Sequence, residues 1–276
     1  KQVIANICIA LLNKGDEVLI FAPFWVSYKA IVEMHGGVSV PVYAGIDQDF
    51  KPSPEQVAAA ITDKTKLVIF SSPCNPTGSV FSKDEMHALA DVFDKHKNLI
   101  IISDEIYEYI NFIEEGHFSL GSIECMKDQV VTVNGFAKGF AMTGWRLGYM
   151  GAPQLIASAC AKIQGQFTSG ATAFGQKAAT LALESDRKAT MEMKEAYNKR
   201  RDLVKGLLDQ IPGIKTNNPE GAFYIFPDIS AYFGKSNGEV TINSADDFCE
   251  FLLNTAHVAV VTGSAFGADK CFRISY

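Results

Sequence analysis

Residues Val130–Met150, VVTVNGFAKGFAMTGWRLGYM, hold the pattern on which the reading of the whole chain turns. Val130 to Val133 is a short β-branched run, the pattern of a buried strand. Asn134-Gly135 behind it is a turn signal. A single lysine, Lys138, then stands in an otherwise apolar segment, with Gly139, Gly144 and Gly148 around it and Arg146 after it. Such a lysine is either a solvated loop residue, as most lysines are, or a nucleophile held just past a strand end. Glycines clustered with Trp145 and Arg146 suggest a tight turn built around a ligand. The flanking chain has to decide.

Working outward, strand and helix patterns alternate. Upstream, Leu99 to Ile102 is a strand running into the polar cluster SDEIYEY. Before it, Ser82 caps a helix with Glu85 as capping-box partner. Lys66 to Ser71 is a strand that enters SSPCNPTG. Pro54 to Ile61 is a short helix capped by Ser53. Val38 to Tyr43 and Glu17 to Ala22 are strands, separated by the amphipathic segment FWVSYKAIVEMHGG. Val3, Ile4, Ile7, Ala10 and Leu11 give a first helix that Gly15 stops. Downstream, helical patterns cover roughly Pro153 to Ile163 and Ala171 to Leu183, and a long polar helix closes at Pro212-Gly213. The tail alternates again: Ala222 to Phe226 strand, Ser244 to Leu253 helix, Val258 to Val261 and Phe272 to Tyr276 strands. This order predicts an α/β fold with a mostly parallel sheet between helices, then a small α+β unit. Lys1 is already in helical register with no methionine before it, and the chain stops on a strand, so both ends are expected to be cut.

Composition narrows the function classes. A net charge of -6 without any basic run argues against nucleic acid as a partner. No apolar run approaches the length of a membrane span, so no membrane partner is expected. The six cysteines are scattered without a CxxC pair, which points to reduced thiols in a cytoplasm-like compartment. The five histidines have no metal-ligand spacing, so no metal is expected.

Several chemistry-bearing residues fall at or just beyond strand ends, where open α/β sheets bind ligands. They are Trp25, Asn75, Asp104 with Tyr107, and Lys138. Singly, each has an ordinary reading: Asp104 a helix cap, Tyr107 and Trp25 core aromatics, Asn75 part of a turn, Arg146 half of a surface ion pair. Jointly they are what pyridoxal 5'-phosphate requires. Its aldehyde needs an amine, which Lys138 offers. Its ring nitrogen needs a carboxylate to stay protonated, which Asp104 offers. Asn75 and Tyr107 can donate to its phenolic oxygen, Trp25 can stack on its ring, and Arg146 can hold its phosphate with a bidentate fork.

SSPCNPTG, SDEIYEYI and NGFAKGFAMTGWRLGY together resemble the signatures of fold-type I, class I pyridoxal-phosphate aminotransferases, most closely aspartate or aspartate/prephenate aminotransferases of bacterial and plastid type. The likeness extends through EGAFYIFPDIS to SAFGADKCFRISY. It implies the fold-type I large domain over residues 1–183, an interdomain helix over 184–211 and part of a small domain over 212–276. It assigns the Schiff-base role to Lys138, the pyridine-nitrogen partner to Asp104, the phenolic-oxygen ligands to Tyr107 and Asn75, the stacking aromatic to Trp25 and the phosphate cation to Arg146. Arg273 resembles the arginine that grips the substrate α-carboxylate, with Trp25 and Asn75 also facing substrate; without the likeness Arg273 is an ordinary strand arginine.

The implied reaction moves an amino group from L-aspartate to 2-oxoglutarate in a cytoplasmic homodimer with shared active sites. Prephenate, aromatic or alanine-like donors are the near alternatives, and a non-catalytic cofactor-binding regulatory domain or an inert fragment the distant ones. One departure stands out. Family members with a serine three residues before the lysine contrast with Gly135 here, and Ala137 directly precedes Lys138.

Overall fold

The computed structural model describes all 276 residues. Helix α1 (Gln2–Leu11) leads into strand β1 (Glu17–Ala22), helix α2 (Ser27–Met34) and strand β2 (Val38–Tyr43). Helix α3 (Pro54–Ala60), strand β3 (Thr65–Ser71), helix α4 (Lys83–Phe93) and strand β4 (Ile100–Asp104) come next. Strands β5 (Val130–Gly135) and β6 (Gly148–Gly151) complete a six-stranded sheet of order β2-β1-β3-β4-β5-β6. All neighbours pair in parallel except β5 with β6.

The central strands β1, β3, β4 and β5 are largely apolar runs because both of their faces are covered. Alternate residues point to opposite sides. Leu19, Phe21, Val68, Phe70 and Ile101 pack under α3 and α4 with Val57, Met86 and Phe93. Val18, Ile20, Leu67, Ile69, Ile102 and Val131 pack under α1, α2 and helix α5 (Gln154–Phe167) with Ile4, Ile7, Val32 and Ile156. The two capping boxes are formed as the sequence requires, Ser53 with Gln56 and Ser82 with Glu85.

Helices α6 (Ala173–Glu184) and α7 (Lys188–Leu208) carry the chain to a second sheet of order β10-β11-β7. Its strands are β7 (Tyr224–Ile225), β10 (Val261–Thr262) and β11 (Phe272–Ser275), all antiparallel. Between them lie the short hairpin β8 (Lys235–Ser236) and β9 (Thr241–Ile242) and helix α8 (Ala245–Phe251). The segment leading into β7 joins the loop after β4 through main-chain pairing of Gly221 with Asn111 and a cluster of Tyr107, Ile110, Ala222 and Tyr224.

Three expectations need correction. Asn134-Gly135 is not a turn: both residues continue β5 and pair with Tyr149 and Gly148 of an antiparallel strand absent from the sequence reading. The physical reason is close backbone approach, since a Cβ on Gly135 would lie 2.9 Å from the Leu147 carbonyl oxygen. The reversal comes later, over residues 136–147. Second, β4 runs two residues past Ile102, so Asp104 is the last residue of a strand and pairs with Ser71 and Val133. Third, the strands of the tail are shorter than their apolar runs, with β7 only Tyr224–Ile225 and β10 starting at Val261; at the run ends the Ala222 amide bonds to the Ile110 carbonyl and the Val258 amide to the Leu252 carbonyl.

Candidate active site

In a parallel sheet all strands point their C-terminal ends the same way, so residues just beyond those ends collect at one edge. Here Trp25 and Tyr28 come after β1, Asn75 after β3, Tyr107 after β4 and Lys138 after β5, while Asp104 closes β4. Arg146 arrives through the antiparallel partner, one residue before Leu147 and β6, and Arg273 arrives on β11 of the second sheet. All of these residues line one cavity of about 1210 Å³.

Asp104 lies at the floor. Tyr28 Oη donates a 2.6 Å hydrogen bond to its Oδ2, and the Ile106 amide donates to Oδ1 at 3.3 Å. Burial pushes the Asp104 carboxyl above its ordinary value, and these two donors oppose that push. Tyr28 is itself sealed in the core at 1% exposure, on the first turn of α2, with its ring edge-on to Trp25 at 5.4 Å.

Lys138 stands half-buried in the wall. Its Nζ joins none of the chain's ion pairs and lies 5.5 Å from the ring centre of Tyr107 and 5.1 Å from that of Phe223. Burial lowers its pKa below the lysine norm, repulsion from Arg273 and Arg146 lowers it further, and Asp104 pulls the other way. A lysine held in this way keeps more of its amine neutral near pH 7 and is correspondingly nucleophilic.

Arg273 Nη1 donates a 2.8 Å hydrogen bond to Asn75 Oδ1. Its guanidinium lies 4.5 Å from the ring centre of Tyr224 and 4.9 Å from that of Phe266. Its Nε is buried with no partner, an orphaned donor on a cation that lines the cavity. With Oδ1 committed to Arg273, Asn75 keeps its amide nitrogen as a free donor. Tyr107 Oη meets Tyr224 Oη at 2.8 Å. Arg146 is exposed, adopts a positive φ of 55°, and spends Nη1 on the Thr143 carbonyl at 2.6 Å, leaving the rest of its fork open.

The donor set suits pyridoxal phosphate: an amine of lowered pKa, a buried carboxylate, neutral donors at Asn75 and Tyr107, an aromatic at Trp25 and an open arginine fork at Arg146 converge on one cavity. Tyr28, Phe223 and Tyr224 are the lining and supporting residues that sequence reasoning missed. Tyr28 could have been found from its place on the first turn of the amphipathic helix that follows Trp25. For Tyr224 only its aromatic character within EGAFYIF was visible; its partner lies 117 residues away.

Comparison with known proteins gives a consistent result. The family described as aminotransferase class I and II matches residues 1–276. The chain is 43% identical over 280 residues to the bifunctional aspartate aminotransferase and glutamate/aspartate-prephenate aminotransferase of Petunia hybrida, covering 100% of this chain and 58% of that protein. It is 43% identical to the aspartate/prephenate aminotransferase of Cereibacter sphaeroides, covering 100% of this chain and 70% of the relative. The solved structure of the aspartate aminotransferase from Rhizobium meliloti superposes with a TM-score of 0.96 at 38% identity, over 100% of this chain and 69% of that one. The chain thus spans a little over half the length of the plant relative.

Proposed function

From the premise that the chain belongs to the class I and II aminotransferases, we propose that it carries the cofactor and carboxylate sites of a pyridoxal-phosphate-dependent transaminase that moves the amino group of L-aspartate to 2-oxoglutarate. The observation that carries this reading is the convergence of Lys138, Asp104 and Arg273 on one cavity. Pyridoxal phosphate supplies, when bound, an aldehyde that condenses with amines and a ring that withdraws electrons from the adjoining carbon.

Every other part of the task falls to side chains. Lys138 would offer the amine and, as a free amine, would carry the proton between the substrate Cα and the cofactor's former aldehyde carbon. Asp104 holds the proton on the ring nitrogen, and Tyr28 keeps that carboxylate oriented. Asn75 and Tyr107 donate to the phenolic oxygen, Trp25 covers the ring face and Arg146 holds the phosphate. Arg273 grips the α-carboxylate, and this orients the Cα–H bond across the ring plane.

The names of the petunia and Cereibacter relatives favour prephenate as a second substrate, and because prephenate carries a 2-oxo group and no amine it would enter as an amino acceptor and not as the donor first expected. The same reading takes residues 1–183 as the cofactor domain, 184–211 as the helix between domains and 212–276 as part of a small domain, within a cytoplasmic homodimer of amino-acid biosynthesis.

The test is spectroscopic. With added pyridoxal phosphate the protein should gain a visible absorbance band, and borohydride should fix the cofactor covalently to Lys138 and to no peptide of a Lys138→Ala variant. Fixation at another lysine would overturn the assignment. A screen of amino donors would then separate aspartate from aromatic or alanine-like substrates, and binding without turnover would point to a regulatory domain.

A further inference from the structure

Resting on the transaminase reading above, we propose that Tyr224 is a positioning residue that ties the carboxylate-binding Arg273 to the phenolic-oxygen donor Tyr107, its ring supporting one and its hydroxyl orienting the other.

Tyr224 belongs to the second sheet, and Tyr107 lies just past a strand of the first. Their hydroxyls meet at 2.8 Å, and this is the only side-chain hydrogen bond either tyrosine makes. Both are largely buried, Tyr107 at 3% and Tyr224 at 4% exposure, with the contact at the wall of the cavity. Tyr107 owns one hydroxyl proton. If it spent that proton on Tyr224, it would have nothing to donate into the cavity. The groups packed on the Tyr224 ring are Arg273, which has donors only, and the rings of Phe223 and Tyr107. In this proposal Tyr107 Oη is the acceptor for Tyr224, so that Tyr107 keeps its own proton for the cavity. A phenol that accepts a hydrogen bond donates a stronger one.

The ring of Tyr224 does separate work. Arg273 and Tyr224 sit on neighbouring antiparallel strands, with Ser275 paired to Tyr224 and Ile274 to Ile225. The guanidinium lies 4.5 Å from the Tyr224 ring centre and 4.9 Å from that of Phe266, within cation–π range of both. Its Nη1 is fixed on Asn75. One side chain thus supports the substrate-binding fork and sets the donor strength of the group facing the cofactor oxygen.

The experiment compares wild type, Tyr224→Phe and Tyr224→Leu, each loaded with pyridoxal phosphate. Two quantities are read: the pH midpoint of the visible absorbance band, and the affinity for succinate as an unreactive carboxylate probe. Tyr224→Phe keeps the ring and loses the hydroxyl. Its midpoint should rise by roughly half to one pH unit, because a weaker Tyr107 donor stabilises the cofactor's anionic oxygen less. Its succinate affinity should stay within about twofold of wild type. Tyr224→Leu should shift the midpoint similarly and also weaken succinate roughly tenfold.

An unchanged or lowered midpoint in Tyr224→Phe would overturn the proposal, a lowered one showing that Tyr224 had been taking the Tyr107 proton. Unchanged succinate affinity in Tyr224→Leu would overturn the platform role. Failure of the wild type to develop the band would instead remove the functional reading on which the proposal rests.

Discussion

Tyr28 and Asp104, 76 residues apart in sequence, share a buried 2.6 Å hydrogen bond at the floor of the cavity. The tyrosine is the donor, so the bond favours an ionised carboxylate in a place where burial opposes ionisation. The floor of the site is held by this opposition. A carboxylate kept in the core by one phenol and one amide is poised for a positive partner, and a protonated ring nitrogen would be one.

Asp104→Asn separates stability from chemistry. Burial raises the Asp104 carboxyl above 3.8, so its folded-state contribution is full below that value and is lost as pH rises through the raised one. At pH 7 the cofactor-free variant, which keeps a Tyr28 acceptor without the charge, should therefore unfold at higher urea than wild type, and the gain should vanish toward pH 3. The loaded variant should lose turnover several hundredfold or more, since removing one partner of a buried charge pair costs about 3–5 kcal/mol. Equal urea midpoints across that pH range, or near-normal turnover, would mean that Asp104 is only a local cap.

Lys138 should react as an amine of lowered pKa. The pH dependence of its fixation by pyridoxal phosphate and borohydride, tracked by peptide mapping, should show a midpoint below the lysine value of 10.5. Asp104 pulls that midpoint upward, so Asp104→Asn should lower it further. A midpoint at or above the ordinary lysine value would show that the cavity does not desolvate this amine.

Arg273→Lys keeps a positive charge and loses both the fork and the guanidinium's contacts with Tyr224 and Phe266. Values of kcat/KM should fall by roughly tenfold to a hundredfold, to a similar degree for aspartate and for a monocarboxylate amino acid. A loss confined to dicarboxylates would place Arg273 at the distal carboxylate instead.

Gly135→Ser tests the departure from the family members that carry serine at this position. The new Cβ would meet the Leu147 carbonyl oxygen at 2.9 Å and Gly148 Cα at 3.0 Å, both main-chain atoms that cannot rotate away. The pairing of β5 with β6 should loosen at a cost of about 1–3 kcal/mol, seen as a lower Tm. A Tm equal to wild type would show that the sheet edge can shift to make room.

The sequence by itself determined the layers. Strand β1 begins and ends where its apolar run does, because a strand buried on both faces is a local pattern bounded by Gly, Pro and charge. Ser53 and Ser82 announce their helices because a capping box closes within three residues. Trp25, Asn75, Asp104 and Lys138 could be placed at one edge because parallel strands deliver their C-terminal ends, and the residues beyond them, to the same side.

Tertiary structure decided the rest. Asn134-Gly135 has the composition of a turn, and only the presence of β6 alongside makes it strand. Arg273 is marked in its own stretch only by a family likeness; its contact with Asn75, 198 residues away, is set by the fold. Tyr28 and Tyr224 are apolar-run aromatics until the fold brings a carboxylate to one hydroxyl and a second phenol to the other. Burial is a property of short stretches and can be read from them. The partner of a buried polar group depends on which distant segment the packing sets beside it, and no local period encodes that.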